Sequence, residues 1–328
     1  MNLCRTTKKT LRISRGFTYT YYTSPAQGSK PTLLLLHGYP DAARVWSGLL
    51  NYLLPQGYGV VALDCLGNGE TSKPTSLSAY AWQYMTADVI EIIDSENLTS
   101  VISVGHDWGS VFCQRLYNFY PSRVSGVIMV IAPYMPPTGQ FDLDKVNRAT
   151  KEAFGYGIYE YWHFFTADDG VELMNRNLDS VYTAAYGNPY TWLENWTTPG
   201  GMRKWVSESH TQPTLDFATA EHKAEFMERF SKDGGFDAPN RWYKSLRFGK
   251  QDSAERLLPE ESKVVKVPTL FWGGKQDFVC RPALLQKSID AGLLPYIKSI
   301  TREGGHWAHL ENPEVFGQDL SGWLQENF

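Results

Sequence analysis

Three short stretches of the chain have nearly unbroken apolar centres: PTLLLLHG (31–38), GVVALD (59–64) and SVISVGH (100–106). A strand with one wet face alternates apolar and polar residues. Runs like these mark strands covered on both faces, as in a parallel sheet clad by helices. The intervals agree, because residues 42–55, 77–96 and 108–120 have helical spacing. A further strand is predicted at VSGVIMVIAP (124–133), and TLRISRGFTYTYYTS (10–24) alternates as a two-stranded entry hairpin would. Repeated strand and helix of this kind predict an α/β fold.

The pattern breaks at about Tyr134. Up to about Phe248 the chain is crowded with Tyr, Trp and Phe, as in YGIYEYWHFF and TWLENWTTPGGMRKW, and shows helical stretches without a core strand. Strands then resume at VPTLFWGG (267–274) and YIKSITREGG (296–305), followed by an amphipathic helix at 312–326. The expectation is a core of residues 1–133 and 249–328, interrupted by a mainly helical cap, 134–248. There are no internal repeats.

Composition narrows the function. With 42% hydrophobic and 20% charged residues the chain has the makings of a folded core. A net charge of −4 gives no reason to expect nucleic acid as a partner. No membrane anchor is expected, since no run approaches the length of a membrane span. The basic, polar N-terminus lacks the apolar stretch of a secretion signal. Cys4, Cys65, Cys113 and Cys280 are scattered without a C-x-x-C pair. Reduced thiols in a cytoplasmic protein are the expectation.

The chemistry gathers at the ends of the predicted strands, where open α/β sheets bind ligands. Gly105-His106-Asp107-Trp108-Gly109 lies between a strand and a helix, like the G-x-S-x-G elbow that exposes a nucleophilic serine. Here the central residue is Asp107. HGYP (37–40) follows the strand at 31, GGKQDFVC places Asp277 after the strand at 267, and REGGHWAHLENP places His306 after the last strand. The strand at 124 ends without a carboxylate, which favours Asp277 as the acid. Nucleophile, acid and histidine thus occur in the order of the α/β-hydrolases.

On these motifs the chain resembles the α/β-hydrolase superfamily along nearly its whole length, and within it the soluble epoxide hydrolases. That family's elbow carries HDWG, its oxyanion loop HG-x-P, its acid a KDFV-like stretch and its histidine GHW. This chain has KQDFV, a small departure. The family also places two tyrosines in its cap. Tyr243 in APNRWYKS matches one well. Tyr161, in IYEYWHFFTADDGVE, matches the other with one residue inserted and Asp169 in place of a proline, and Tyr159 competes for that position. The resemblance implies an α/β-hydrolase fold, a small lipophilic epoxide and water as the reactants, and no cofactor.

The residue types suit that chemistry. A carboxylate of ordinary pKa is already anionic, so Asp107 can displace an epoxide oxygen from carbon without a base and form an ester. Tyr161 and Tyr243 would protonate the departing oxygen. His306, oriented by Asp277, would activate water against the ester, and the backbone N–H groups of Tyr39 and Trp108 would hold the oxyanion. Trp108 is also a substrate-binding candidate. His37 and His106 read as structural. His309 makes an H-x-x-H with His306, but no third ligand is apparent and no metal is expected.

Rival readings remain at this point. Haloalkane dehalogenases share the Asp nucleophile and HDWG, but usually have asparagine where Tyr39 stands. Fluoroacetate dehalogenases usually carry Arg after the nucleophile. A serine esterase is disfavoured because Ser110 lies beyond the elbow. A non-catalytic receptor of the same fold would not need the intact nucleophile, acid and histidine.

Overall fold

The computed structural model describes residue 3 and residues 5–328; Cys4 lies outside the described residues. One eight-stranded sheet forms the centre: β1 (Thr7–Arg12), β2 (Thr18–Ser24), β3 (Thr32–Leu36), β4 (Gly59–Leu63), β5 (Val101–His106), β6 (Val124–Val130), β7 (Thr269–Gly274) and β8 (Ile297–Arg302). Their spatial order is β1-β2-β4-β3-β5-β6-β7-β8. The entry hairpin β1–β2 and the β2–β4 pair are antiparallel, and every later pair is parallel.

Burial explains the apolar runs. Every residue of β3, β4, β5 and β7 is buried, because helices cover both faces there. The edge strands differ. β1 is almost wholly exposed and carries Lys8, Lys9 and Arg12, charges that discourage pairing with another chain. β8 is half exposed.

The strand order sets up the site. From β3 the chain passes to β4 on one side, then returns to place β5 on the other. A crevice opens where the direction of winding changes, just beyond the carboxyl ends of β3 and β5. The register pairs Leu36 with Gly105, so His37–Pro40 and Asp107 emerge side by side. At the adjoining end, β7 and β8 pair Gly274 with Arg302, which brings the segments carrying Asp277 and His306 together.

Residues 134–248 contribute helices and no strand of the sheet; one isolated bridge joins Gly187 to Thr214. Indole hydrogen bonds are among the fastenings that hold this segment to the sheet-bearing part. The Trp242 indole donates to the Leu66 carbonyl at 2.8 Å, and the Trp307 indole donates to Ala185 at 2.8 Å. Gln251 locks the return of the chain, accepting from Trp82 N at 2.7 Å and donating to Tyr80 O at 3.1 Å and Ser245 Oγ at 2.9 Å. A helix at Leu285–Asp290 was not anticipated. Six residues are too few to display a helical period.

An ion pair fixes the start of the segment. Arg115, on the helix Trp108–Phe119, meets Glu255 at 2.6 Å, and both side chains are buried. Arg115 also donates to the Met135 carbonyl at 2.7 Å, and Glu255 accepts from Gly139 N at 3.2 Å. Removing one partner leaves the other charged and unpaired in the interior. We therefore expect Glu255→Ala to lower stability by about 3–5 kcal/mol, read from denaturant unfolding, with Glu255→Gln milder because it still accepts from Arg115. A loss below about 1 kcal/mol for the alanine variant would show the pair to be dispensable.

Candidate active site

The elbow is built by close approach. A Cβ on Gly105 would collide with the Gly109 carbonyl, and one on Gly109 would collide with the Leu36 carbonyl. With glycine at both points, the strand runs straight into the helix Trp108–Phe119. The single residue between them, Asp107, adopts φ 54° and ψ −120°. That is strained backbone for a residue with a side chain, of the kind found at functional sites.

The strain sets Asp107 against two backbone N–H donors. The Tyr39 N–H donates to its Oδ1 at 2.9 Å. The Trp108 N–H stabilises the carboxylate as well, from the positive end of the helix it begins. Burial nevertheless dominates and raises the Asp107 pKa above the ordinary carboxylate value, against the pull of His306 and the two backbone donors. The expectation of ordinary acidity is corrected here. Its cause is desolvation, which a sequence does not display.

His306 stands on the other side. Its Nδ1 lies 2.8 Å from Asp277 Oδ2, and its Nε2 lies 3.6 Å from Asp107 Oδ2. Asp277 is fully enclosed; its Oδ1 accepts from the backbone N–H groups of Val279 at 2.8 Å and Cys280 at 2.7 Å. Burial pushes the imidazole toward its neutral form. The charge and hydrogen bond of Asp277, reinforced by Asp107, outweigh that and raise the His306 pKa.

Asp107 and His306 line a narrow cavity together with Tyr39, Pro40, Tyr161, Trp192, Trp196, Tyr243 and Trp307, among others. The centre of a water molecule can occupy only about 10 Å³ of it, room for about one water. Tyr161 and Tyr243 reach it from residues 134–248, their rings 5.9 Å apart and nearly perpendicular. Tyr159 is not among the lining residues, and its ring is stacked on Trp162 at 4.8 Å. Both lining phenols are deeply buried. Burial is the largest cause that raises their pKa values, with the charge of Asp107 adding to it. They hold their protons.

The other residues singled out from sequence occupy supporting places. The Trp108 ring lies edge-on to Tyr243 at 5.1 Å and borders a separate small void with His37, Asn68 and Trp242. His37 is clamped by Gly38 O at 2.8 Å and Cys65 N at 2.9 Å, and burial drives its pKa down to about 3. His106 contacts the His306 carbonyl at 3.0 Å through Nε2 and is likewise pushed down by burial. His309 is buried, packed on His106, with its pKa lowered to about 3. Trp192 and Trp196 were not singled out from sequence. The former lies 5.0 Å from the His306 ring, ring centre to ring centre. Their aromatic segment stood out as a whole, but nothing distinguished them within it.

Known proteins give context. The family model described as alpha/beta hydrolase fold matches residues 31–313. The chain is 28% identical over 299 residues to bifunctional epoxide hydrolase 2 of Mus musculus, covering 91% of this chain and 52% of that protein. It therefore spans about half the length of that relative. It is 25% identical to epoxide hydrolase A of Mycobacterium tuberculosis, covering 86% of this chain and 87% of that one. Among solved structures, epoxide hydrolase A from Mycobacterium thermoresistibile superposes with a TM-score of 0.80 at 21% identity, covering 98% of each chain. Epoxide hydrolase VrEH1 from Vigna radiata gives 0.77 at 23% identity, covering 99% of this chain and 100% of that one. At such identities the structural likeness speaks for the fold. No helix among the described residues is long and apolar enough to cross a membrane.

The balance at His306 can be tested by titration. Opposing burial, Asp277 is the largest influence that raises the imidazole pKa above 6.5. Asp277→Asn removes that charge and leaves Asp107 and the more distant Asp41 to oppose burial. The His306 resonances, followed by NMR, should titrate above 6.5 in the parent protein and at a clearly lower pH in the variant. An unchanged midpoint would mean that Asp277 does not control the charge on His306.

Proposed function

The chain belongs to the alpha/beta hydrolase fold family, and on that footing we propose that it hydrolyses lipophilic epoxides to vicinal diols through an ester on Asp107. One observation carries this reading. A carboxylate on a strained elbow and two phenols that keep their protons share a single cavity. The names of the similar proteins, epoxide hydrolases among both relatives and solved structures, support it.

In the first half-reaction an Asp107 oxygen attacks an epoxide carbon, and the carbon–oxygen bond of the strained ring breaks. The departing oxygen takes a hydrogen bond from each of Tyr161 and Tyr243 and a proton from one of them. In the second, His306 takes a proton from water, and the water attacks the ester carbonyl of Asp107. The oxyanion formed there meets the N–H groups of Tyr39 and Trp108, already directed at that carboxylate. Collapse releases the diol and restores Asp107, and the proton taken up by His306 is passed back to the phenol that lost one, so that every group ends as it began.

Esterification also prepares the base. The Asp107 charge is one of the causes that raise the His306 pKa, and the ester abolishes it. The imidazole therefore becomes easier to neutralise at the moment a neutral base is required.

A dehalogenase would need a halide cradle and no proton donors. Here the Trp108 indole that would hold halide lies beside the Tyr243 hydroxyl, where it opposes the rise in that group's pKa. Two protonated phenols suit an alkoxide leaving group better.

Mass spectrometry of single turnovers tests the sequence of events. His306→Gln should accumulate protein heavier by one substrate, and Asp107→Asn should form no adduct. A single turnover in oxygen-18 water should leave the label in Asp107 and give largely unlabelled diol. Label in the diol from the first turnover, with none in the protein, would mean direct attack by water and refute the covalent route. A protein that turns over no epoxide in a broad panel would refute the function itself. The phenols have their own signature. Tyr161→Phe or Tyr243→Phe should slow adduct formation by about 10–100-fold, and the double change should nearly abolish it.

A further inference from the structure

We infer that Asp107, Cys280 and His306 form an inhibitory binding site for a borderline-soft divalent cation, Zn²⁺ or Cd²⁺. Each offers one ligand atom, a carboxylate oxygen, a thiol sulfur and an imidazole nitrogen, and the three atoms lie within 4.8 Å of one another. This is the donor mixture zinc prefers, with a fourth position left for water. Zinc bonds of about 2.0–2.3 Å bring such ligands to about 3.5 Å from each other. Closing the present spacing takes about 1 Å of side-chain movement.

Asp277 orients two of the three ligands, against the burial and carboxylate charges that push up the pKa of the Cys280 thiol. His306 Nδ1 is held by Asp277, which leaves Nε2, on the Asp107 side, as the ligating atom. A carboxylate behind a metal-bound histidine fixes its tautomer and strengthens it as a ligand. The same Asp277 also holds the main chain that carries the thiol, through its 2.7 Å bond from Cys280 N. Asp107 and His306 line the cavity that has room for about one water, beside Val279, the chain neighbour of Cys280. Mg²⁺ and Ca²⁺ want six or more oxygen ligands and do not fit this set.

Binding converts the Cys280 thiol to a thiolate and releases its proton to the buffer; nothing is oxidised. The ion then occupies a lone pair of the Asp107 carboxylate and the Nε2 pair of His306. The binding site rests on ligand geometry alone, whereas its inhibitory effect rests on the epoxide hydrolysis proposed above.

The intact chain should be titrated with Cd²⁺ while the ultraviolet thiolate-to-cadmium charge-transfer band is recorded and epoxide turnover is assayed in parallel. One ion per chain, a band, and loss of diol formation at the same midpoint are expected, with recovery on adding EDTA and no effect of Mg²⁺. Cys280→Ala should lose the band, weaken binding by about 100-fold or more, and keep turnover at cadmium levels that silence the parent. Cys280→Val serves if the alanine variant does not fold. Asp107→Asn and His306→Gln should each weaken binding by at least about tenfold. No band in the parent, a band that survives in the Cys280 variants, or binding unaffected by the other two changes would overturn the proposal. A band that behaves as described in a protein making no diol would uphold the metal site and refute the epoxide reading; diol formation without a band would do the reverse.

Discussion

Asp107 is held at positive φ because the strand before it and the helix after it press against their neighbours through Gly105 and Gly109. The rest of the site depends on that contact. It points one carboxylate out of the sheet at the place where the winding changes direction, and it lays the first N–H of a helix beside that carboxylate. The HGYP loop fills the other side of the crevice because β3 and β5 are neighbours in register. A larger residue at either glycine would separate strand from helix and release the strain that aims the side chain.

Charge is distributed with comparable economy. Of the buried histidines, His37, His106, His222 and His309 are all driven toward the neutral form by desolvation. His306 alone is shifted the other way, since it alone lies between two carboxylates. A neutral imidazole can fill space and hold the backbone, as His37 does. A base must exchange protons near neutral pH, and only the residue with charged partners is set to do so.

How much of this was legible in the chain follows from distance along it. The elbow, the HGYP loop and the segments carrying Asp277 and His306 are local patterns at strand ends, and each could be read from a few adjacent residues. The β3, β4 and β5 strands were legible because burial on both faces leaves an apolar run. Cys280, as a neighbour of Asp107 and His306, and Trp192 and Trp196, as lining of the cavity, were not legible. Their partners lie far away in sequence, and tertiary packing alone selects them from a thiol-poor and tryptophan-rich chain. Between Tyr159 and Tyr161 the sequence leaves the choice open, and only the folded turn before the helix Trp162–Phe165 separates the one stacked on Trp162 from the one that lines the cavity with Asp107. The raised pKa of Asp107 escaped for a related reason, since solvent exclusion is a property of the assembled roof.

That roof divides the work unevenly. Both phenols belong to residues 134–248, while Asp107, Asp277, His306 and the Tyr39 and Trp108 donors belong to the sheet-bearing part. A cavity that admits about one water must open before a lipophilic molecule enters. On the epoxide reaction proposed above, an opening that carries Tyr161 and Tyr243 away leaves Asp107, His306 and the backbone donors in place. In that scheme ring opening is confined to the closed form, whereas the ester can be cleared with the roof ajar. An alkylated chain that opens early then still has a way back, and the carboxylate meets its electrophile only when the proton donors have closed over it.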